Sequence, residues 1–292
     1  MKKIISVVMI VCMLALLPSC AQKRDFGDSA KYEKGTAYVV SNIKTDNVNA
    51  VAADVEADSY VYWNDFRDTG TAVQTRTVSF GGADYQTEFK KSYLTVYQTV
   101  VDVYSTTGGE EINFEINRDN GKLVAVVFNS RLFGGSARGG ASTESEYIEA
   151  AKQASEKLID VSDYTVRYEA PKSGETTREV YFEKFVDGYL LTRTYVSLLN
   201  GGEVYSIRTE ADYDWNAVKG LSIGSAVDGQ VADKLRSVCA AKSVTYAGYE
   251  TSFTRIVPDK NGRLAVLYMV YPNEPGDSPK CINPLNILIY IE

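Results

Sequence analysis

Apolar and polar residues alternate along much of the chain, which predicts β-strands. Ile112, Phe114 and Ile116 alternate with polar residues and so place one apolar face on a sheet. An Asp-Asn-Gly turn at 119–121 follows, because Asn-Gly tolerates positive φ. Further strands are predicted at 123–128, 164–169, 178–186, 189–198, 204–209, 244–246, 249–257 and 263–270. Residues 285–291 are almost wholly apolar, which predicts a strand buried on both faces.

Two segments have the apolar spacing that is typical of helices. Thr143 and Glu146 form a capping box, and the apolar stripe that follows predicts a helix to about Asp160. A second helix is predicted at 231–241. Each helix precedes antiparallel strands, and a helix with one apolar face covers one face of such a sheet. The predicted fold class is therefore α+β: antiparallel β-meanders each covered by a single helix, with a mostly β N-terminal module.

A glycine-rich segment at 134–142 is the best internal boundary of the chain. It lacks the Gly-Lys-Ser/Thr sequence that a phosphate-binding P-loop requires, so it is interpreted as a flexible loop. This boundary predicts a mostly β module at 36–140 and a helix-plus-antiparallel-sheet module at 141–215. A second helix-plus-sheet module is predicted at 216–292.

The first twenty residues have the features of an export signal. Lys2 and Lys3 precede an apolar run at 4–17, which is too short to be a lasting membrane span. The run ends in Leu17-Pro18-Ser19-Cys20, which resembles the lipobox of bacterial lipoproteins. That resemblance implies cleavage after residue 19, lipidation of Cys20 and a lipidated tether at 20–35. The protein is therefore expected outside the cytoplasm, lipid-anchored at the cell membrane or outer membrane.

Charge and composition exclude several classes of function. The 292 residues include 31 Lys and Arg, 38 Asp and Glu, and no His, for a net charge of −7. A nucleic-acid surface needs clustered positive charge, so no nucleic-acid partner is expected. The lack of His removes the Ser-His-Asp and Cys-His nucleophile systems and all His-based metal sites. No other nucleophile motif is present, so the sequence predicts no enzyme.

Residues 112–209 resemble PepSY-like domains of extracytoplasmic proteins. The matching segments are an apolar strand that ends in a glycine turn at 180–189, a second glycine turn at 198–204, and an Asn-Gly-Lys-Leu turn within 116–123. Members of that family are generally non-catalytic and are associated with binding or restraining peptidases and with sensing at the cell envelope. The resemblance therefore implies a protein or peptide partner, and it supplies no catalytic residues.

Two groups of residues are candidates for special chemistry. Cys239 and Cys281 are a candidate disulfide, because an exported chain meets an oxidising compartment. The alternative is that Cys239 is a small buried helix residue and Cys281 a loop thiol. Tyr60, Tyr62 and Trp63 lie among acidic residues and are weak candidates to stack on a sugar, whereas their strand context favours sheet packing.

Two acidic groups contain oxygen ligands of the kind that Ca²⁺ prefers: Asp54, Glu56 and Asp58, and then Asp212 and Asp214. Neither group matches a calcium-binding loop, so both are interpreted as solvated acidic faces, and no metal or cofactor is predicted.

The sequence thus predicts a membrane-anchored, non-enzymatic lipoprotein that binds a protein or peptide at the cell envelope. One alternative is an envelope polysaccharide binder or a carboxylate-based hydrolase, because a glycosidase needs only two carboxylates. A second alternative is a structural component of the envelope.

Overall fold

A computed structural model describes residues 32–42, 50–56, 72–132, 139–210, 223, 226–259, 261–273 and 282–291. Three helices lie within these ranges: α1 (Asn129–Leu132), α2 (Glu144–Ser155) and α3 (Ala226–Ala241). Thirteen strands form one sheet: β1 (Ala37–Asn42), β2 (Thr75–Phe80), β3 (Ala83–Leu94), β4 (Val100–Thr106), β5 (Ile112–Asn117), β6 (Leu123–Phe128), β7 (Thr165–Glu169), β8 (Arg178–Val186), β9 (Tyr189–Leu198), β10 (Val204–Thr209), β11 (Tyr249–Pro258), β12 (Leu264–Pro272) and β13 (Leu285–Tyr290).

The sheet has two parts that meet at β9. The nine-stranded part has the order β2-β3-β4-β5-β6-β10-β9-β8-β7, and every pairing in it is antiparallel. The four-stranded part has the order β1-β13-β12-β11 and is also antiparallel. The two parts are joined by a single parallel pairing of Arg255 in β11 with Leu190 in β9. The sheet is therefore mixed.

Turn chemistry sets the hairpin of β8 and β9. Asp187 and Gly188 have φ values of 48° and 82°, which gives both central residues the left-handed conformation of a tight hairpin turn. The structure confirms the predicted strands at 178–186, 189–198 and 204–209 with the same boundaries. A two-residue turn fixes the register of the strands that it joins, which is why the boundaries of β8 and β9 at this turn follow from local sequence.

Helix α2 packs on one face of the nine-stranded part. Its Tyr147, Ala151 and Ala154 belong to one apolar cluster with Phe182 of β8 and Val196 of β9. The capping box is confirmed: the Glu146 N–H donates to Thr143 Oγ1, and Glu146 Oε2 accepts from the Thr143 N–H at 2.9 Å.

Helix α2 ends at Ser155 and not near residue 160 as predicted. The N–H groups of Lys157 and Leu158 bond to carbonyls only three residues back, in Ala154 and Ser155. This tighter winding closes the last turn and stops the helix.

The chain crosses itself closely where the glycine-rich segment ends. The Ala141 N–H donates to the Gly201 carbonyl at 3.0 Å, and a Cβ on Gly139 would lie 2.0 Å from that same oxygen. Gly139 is therefore required for a close backbone approach, in contrast to the flexible loop predicted there. The rest of the segment, at 133–138, lies outside the described residues.

The two central strands of the four-stranded part, β12 and β13, are buried on both faces. All six residues of β13 are buried, which confirms the prediction for this strand. Val231 and Leu235 of α3 pack with Ile287 on one face, whereas Leu288 packs with Tyr97 and Val257 on the other. This part is thus the deepest core of the described molecule.

Two predictions near α3 are wrong. The helix begins at Ala226, five residues before the predicted start. The predicted strand at 244–246 is a loop. The Val244 N–H donates to the Cys239 carbonyl at 2.8 Å, and Ser243 has a φ of 56°. The backbone of this segment is used to end helix α3, so residues 244–246 do not pair with another strand.

The content of strands and helices agrees with the predicted α+β class. The predicted modules 36–140, 141–215 and 216–292 stay predictions, and their strands belong to one sheet because β6 pairs with β10 and β9 pairs with β11. No helix within the described ranges has the length and apolar character needed to cross a bilayer.

Candidate functional site

The face of the nine-stranded part opposite α2 is polar, and we call it the polar face. One row of directly paired residues runs across eight strands on this face, from β7 to β3. In order, it contains Arg167, Tyr181, Tyr195, Arg208, Ala125, Glu115, Val103 and Lys91. Strand alternation explains the contrast in the middle of the row, because Val196, Ile207 and Phe114, which neighbour Tyr195, Arg208 and Glu115 along their strands, belong to the apolar cluster under α2.

Fixed ion pairs hold the β7–β9 end of the row. Arg167 Nε and Arg193 Nε both donate to Glu183, at 3.1 and 2.8 Å. The two guanidinium groups also lie 4.0 and 5.1 Å from the centre of the Tyr181 ring. Burial of Glu183 would raise the pKa of its carboxyl, but the two arginines outweigh burial and lower that pKa. Glu183 is therefore held as a carboxylate between two cations.

A cavity of about 310 Å³ opens beside the middle of this row, at Tyr195, Arg208 and Glu115. It lies where the turn between β3 and β4 meets β9, β10 and β11, the strand of the four-stranded part that adjoins β9. Three tyrosines line it, Tyr93, Tyr97 and Tyr195, together with Asn117, Thr209 and a patch formed by Val96, Val101 and Val124. Two Tyr–Glu–Arg groups complete the lining, and we call this site the Tyr–Glu–Arg cavity.

Glu115 is the centre of the first group. Its Oε1 accepts from Arg208 Nη2 at 2.8 Å, and its Oε2 accepts from both Arg208 Nη1 and the Tyr93 hydroxyl. Burial of Tyr93 and its contact with Glu115 raise the pKa of the phenol. Burial would lower the pKa of Arg208, but the Glu115 carboxylate outweighs it and raises that pKa. The group is thus a neutral phenol, a carboxylate and a guanidinium in fixed positions.

Glu210 is the centre of the second group. Its Oε2 accepts from Arg255 Nη1 at 2.8 Å and lies 3.2 Å from the Tyr97 hydroxyl. That hydroxyl also lies 3.3 Å from the Leu191 carbonyl oxygen. Burial, and then the Glu210 charge, raise the pKa of Tyr97. Because Arg255 belongs to β11 and Glu210 follows β10, this group ties the two parts of the sheet together.

The charges in the cavity cancel, and both carboxylates are occupied. A glycosidase needs one carboxyl group that carries a proton to give to the leaving group. Glu115 and Glu210 instead each accept from an arginine and lie against a tyrosine hydroxyl, so each carboxyl group already has protein partners. The arrangement suits binding through fixed hydrogen-bonding groups.

Most of the predicted site residues lie outside the described residues: Cys20, Asp58, Tyr60, Tyr62, Trp63, Asp212, Asp214 and Cys281. Cys239 is 1% exposed on α3, in the apolar cluster with Leu235. Its pairing with Cys281 stays a prediction.

Two of the predicted acidic residues are described, and both contact lysines of α3 or of the loop after it. Glu56 pairs with Lys234, and Asp54 lies 3.7 Å from Lys242. These contacts hold the 50–56 segment against the helix. Within the described ranges, no group of three or more Cys, Asp or Glu side chains comes together in a way that could hold a metal ion.

Sequence reasoning missed the residues of the Tyr–Glu–Arg cavity. One usable signal was present, because Glu115 falls at a polar position of the alternating strand at 112–117. The pattern shows that this residue points away from the apolar core. It does not show that β6 pairs with β10 and so brings Arg208 next to Glu115.

Comparisons with known proteins identify no family. No family model matches the chain, and no curated protein matches it. Among solved structures, the chain is similar to the Bacillus megaterium YpeB C-terminal domain, with 11% sequence identity and a TM-score of 0.30. The similarity covers 75% of this chain and 89% of that one. A score this low carries no argument about function, so the resemblance of residues 112–209 to PepSY-like domains stays a prediction.

Proposed function

We propose that the protein is a lipoprotein, anchored through Cys20 outside the cytoplasm, that binds a protein or peptide at the cell envelope without catalysing a reaction. The lipobox-like sequence Leu17-Pro18-Ser19-Cys20 supports the anchor. In bacterial lipoproteins the modified cysteine carries two acyl chains, and two chains give stable membrane anchoring where one does not. The occupied carboxylates of the Tyr–Glu–Arg cavity support a binding role over an enzymatic one.

The open edge formed by β7 is the observation that carries the protein-binding proposal. Among the described residues, β7 pairs only with β8, and none of its five residues is buried. Val166, the second residue of this strand, is 42% exposed although it is apolar. An unpaired strand edge offers backbone N–H and C=O groups that an extended peptide can pair with. Arg167 places charge beside that edge and extends the polar face toward it.

Site-specific photo-crosslinking in living cells tests the edge. A photoreactive residue at Val166 is compared with one at Thr77 on β2, the other edge strand of the nine-stranded part, whose apolar residues Val78 and Phe80 are buried and so offer no exposed apolar contact. We expect one discrete protein adduct from position 166, none from position 77, and loss of the adduct in an Arg167→Glu background. Equal adducts from both positions, or none from either, contradict the proposal and favour a structural role.

The anchor has its own test. Cells that express the protein or its Cys20→Ser variant are fed a labelled fatty acid, and membrane and soluble fractions are compared. We expect label and membrane association only with Cys20 present. An unlabelled protein in the soluble fraction contradicts the anchor.

A second candidate function is the binding of envelope polysaccharide. The Tyr–Glu–Arg cavity favours it, because tyrosine rings and fixed polar groups converge there without net charge. This function and peptide binding at β7 use different places on the molecule, so the protein can have both.

A further inference from the structure

We infer that the Tyr–Glu–Arg cavity is a binding site for a neutral saccharide of one or two rings. The inference rests on the second candidate function and names its site, its ligand class and the residues that hold the ligand. Four properties of the cavity carry it: charge balance, rigidity, the chemistry of the lining and size.

The charge balance selects against ions. Arg208 is paired with Glu115, and Arg255 with Glu210, so the two groups together have no net charge. A phosphate or carboxylate ligand would have to compete with a carboxylate that already holds each guanidinium, and a cation would meet two arginines. A neutral ligand avoids both this competition and this repulsion, because it can form hydrogen bonds with the arginines and glutamates while they stay paired with each other.

The polar groups are held in place before a ligand arrives. Glu115 and Arg255 are 6% and 7% exposed, and each is held by a partner from outside its own strand. Groups that are fixed in advance lose little conformational entropy when a ligand binds. This low cost favours the replacement of bound water by a hydroxyl-rich ligand.

Asn117 shows which groups the site offers. Its Oδ1 accepts from the Asp119 N–H at 2.9 Å, so its amide N–H groups are the donors that remain for a ligand in the cavity it lines. Burial raises the pKa of Tyr195, which keeps that hydroxyl protonated as a further donor. Donors of this kind match the oxygen atoms of a sugar.

The lining is also amphipathic in the way that a sugar ring is. The tyrosine rings and the valine patch offer apolar surface beside the polar groups. A pyranose has C–H groups on its faces and hydroxyls on its edge, so it can pack on an aromatic ring and form hydrogen bonds at the same time. The volume of about 310 Å³ is at the lower end of the range of about 300–1,000 Å³ for ligand sites, which fits a short ligand.

The test measures binding of defined probes to the full chain in detergent micelles by calorimetry. The neutral probes are the disaccharides cellobiose, maltose and chitobiose, the anionic probe is digalacturonate, and the peptide probe is tetra-alanine. We expect saturable binding of at least one neutral probe, with no tighter binding of the anionic probe or the peptide. Absence of binding by all three neutral probes, or preference for the uronate or the peptide, overturns the inference.

Variants place the binding in the cavity. Tyr195→Ala removes a ring that lines the cavity, and Asn117→Asp keeps the acceptor for Asp119 but removes the amide donors. We expect each to weaken saccharide binding about ten-fold. Tyr181→Ala is the matched control, because Tyr181 lies next to Tyr195 in the same row, with ring centres 6.0 Å apart, but outside the cavity lining. It should leave the affinity unchanged.

The controls separate this inference from the protein-binding proposal. If Tyr195→Ala does not fold, the near-isosteric Asn117→Asp variant decides the outcome. Binding that survives both cavity variants overturns the inference. Cross-linking from position 166 is measured on the wild-type chain beside saccharide binding. Cross-links without saccharide binding in the wild type reject the cavity site and leave the peptide edge in place, whereas absence of both rejects both. In the cavity variants, saccharide binding should fall while the cross-links persist.

Discussion

The two parts of the sheet bury their strands in different ways. In the four-stranded part, Ile287 and Leu288 are neighbours on β13 and pack into separate apolar clusters on opposite faces. In the nine-stranded part, Val196 of β9 packs under α2, whereas its neighbour Tyr195 lies half-buried on the polar face. The central strands of the four-stranded part are core on both faces. The nine-stranded part has an apolar face under α2 and a polar face that holds the proposed saccharide site, and the proposed peptide site lies at its β7 edge.

The largest expected effect is in β13. Ile287→Ala and Leu288→Ala each remove a fully buried side chain, so each should lower the free energy of unfolding by about 2–5 kcal/mol. Lys91→Ala, at an exposed position of the polar face, should change it by less than about 0.5 kcal/mol. Urea unfolding measures all three. If only one of the two β13 variants lost little unfolding free energy, the face of β13 on which that residue lies would not be core.

The next effect is at Glu115. Arg208→Met leaves this buried carboxylate without its cation and should cost about 2–3 kcal/mol in urea unfolding. Adding Glu115→Gln removes the unpaired charge, so the double variant should recover more than half of the loss. If the losses in unfolding free energy from the two substitutions simply add in the double variant, Glu115 and Arg208 do not stabilise the polar face as a pair.

A smaller effect is expected at the start of α2, which covers the core face. Thr143→Ala removes the side-chain acceptor for the Glu146 N–H and should cost about 1 kcal/mol. Thr143→Ser keeps a hydroxyl there and is the matched control. Equal losses of unfolding free energy in the two variants would show that the cost comes from packing and not from the hydrogen bond of the cap.

The smallest effect is the pH dependence of the same cap. Hydrogen bonds from the backbone N–H groups of Ser142 and Thr143 lower the pKa of Glu146 to about 2, from an ordinary value of 4.5. A lowered carboxyl pKa contributes stability that is present above pH 4.5 and is lost as pH falls toward 2. The gap in Tm between the wild type and Glu146→Gln should therefore narrow over this range. A gap that stays constant would contradict the role of the charge.

Local sequence was sufficient for the hairpins and the cap. Asp187-Gly188 and Thr143 with Glu146 have chemistry that permits few backbone conformations, so the boundaries of β8, β9 and the start of α2 follow from it. The order of the strands in the sheet could not be predicted from local sequence. Alternation shows which residues share a face within a strand but not which strand lies beside it. The Tyr–Glu–Arg cavity needs β3, β5, β9, β10 and β11 together, and the pairings of β6 with β10 and of β9 with β11 connect segments far apart in sequence.

The pairing of β1 with β13 has a consequence for the order of folding. Ala37 lies opposite Ile289, so the described strand nearest the N-terminus pairs with the described strand nearest the C-terminus. Closing such a long loop is entropically costly and slow. We therefore expect β1 to pair late in folding, after the hairpins between β1 and β13 have formed. A chain truncated before residue 285 should keep β1 sensitive to proteases, and the full chain should protect it.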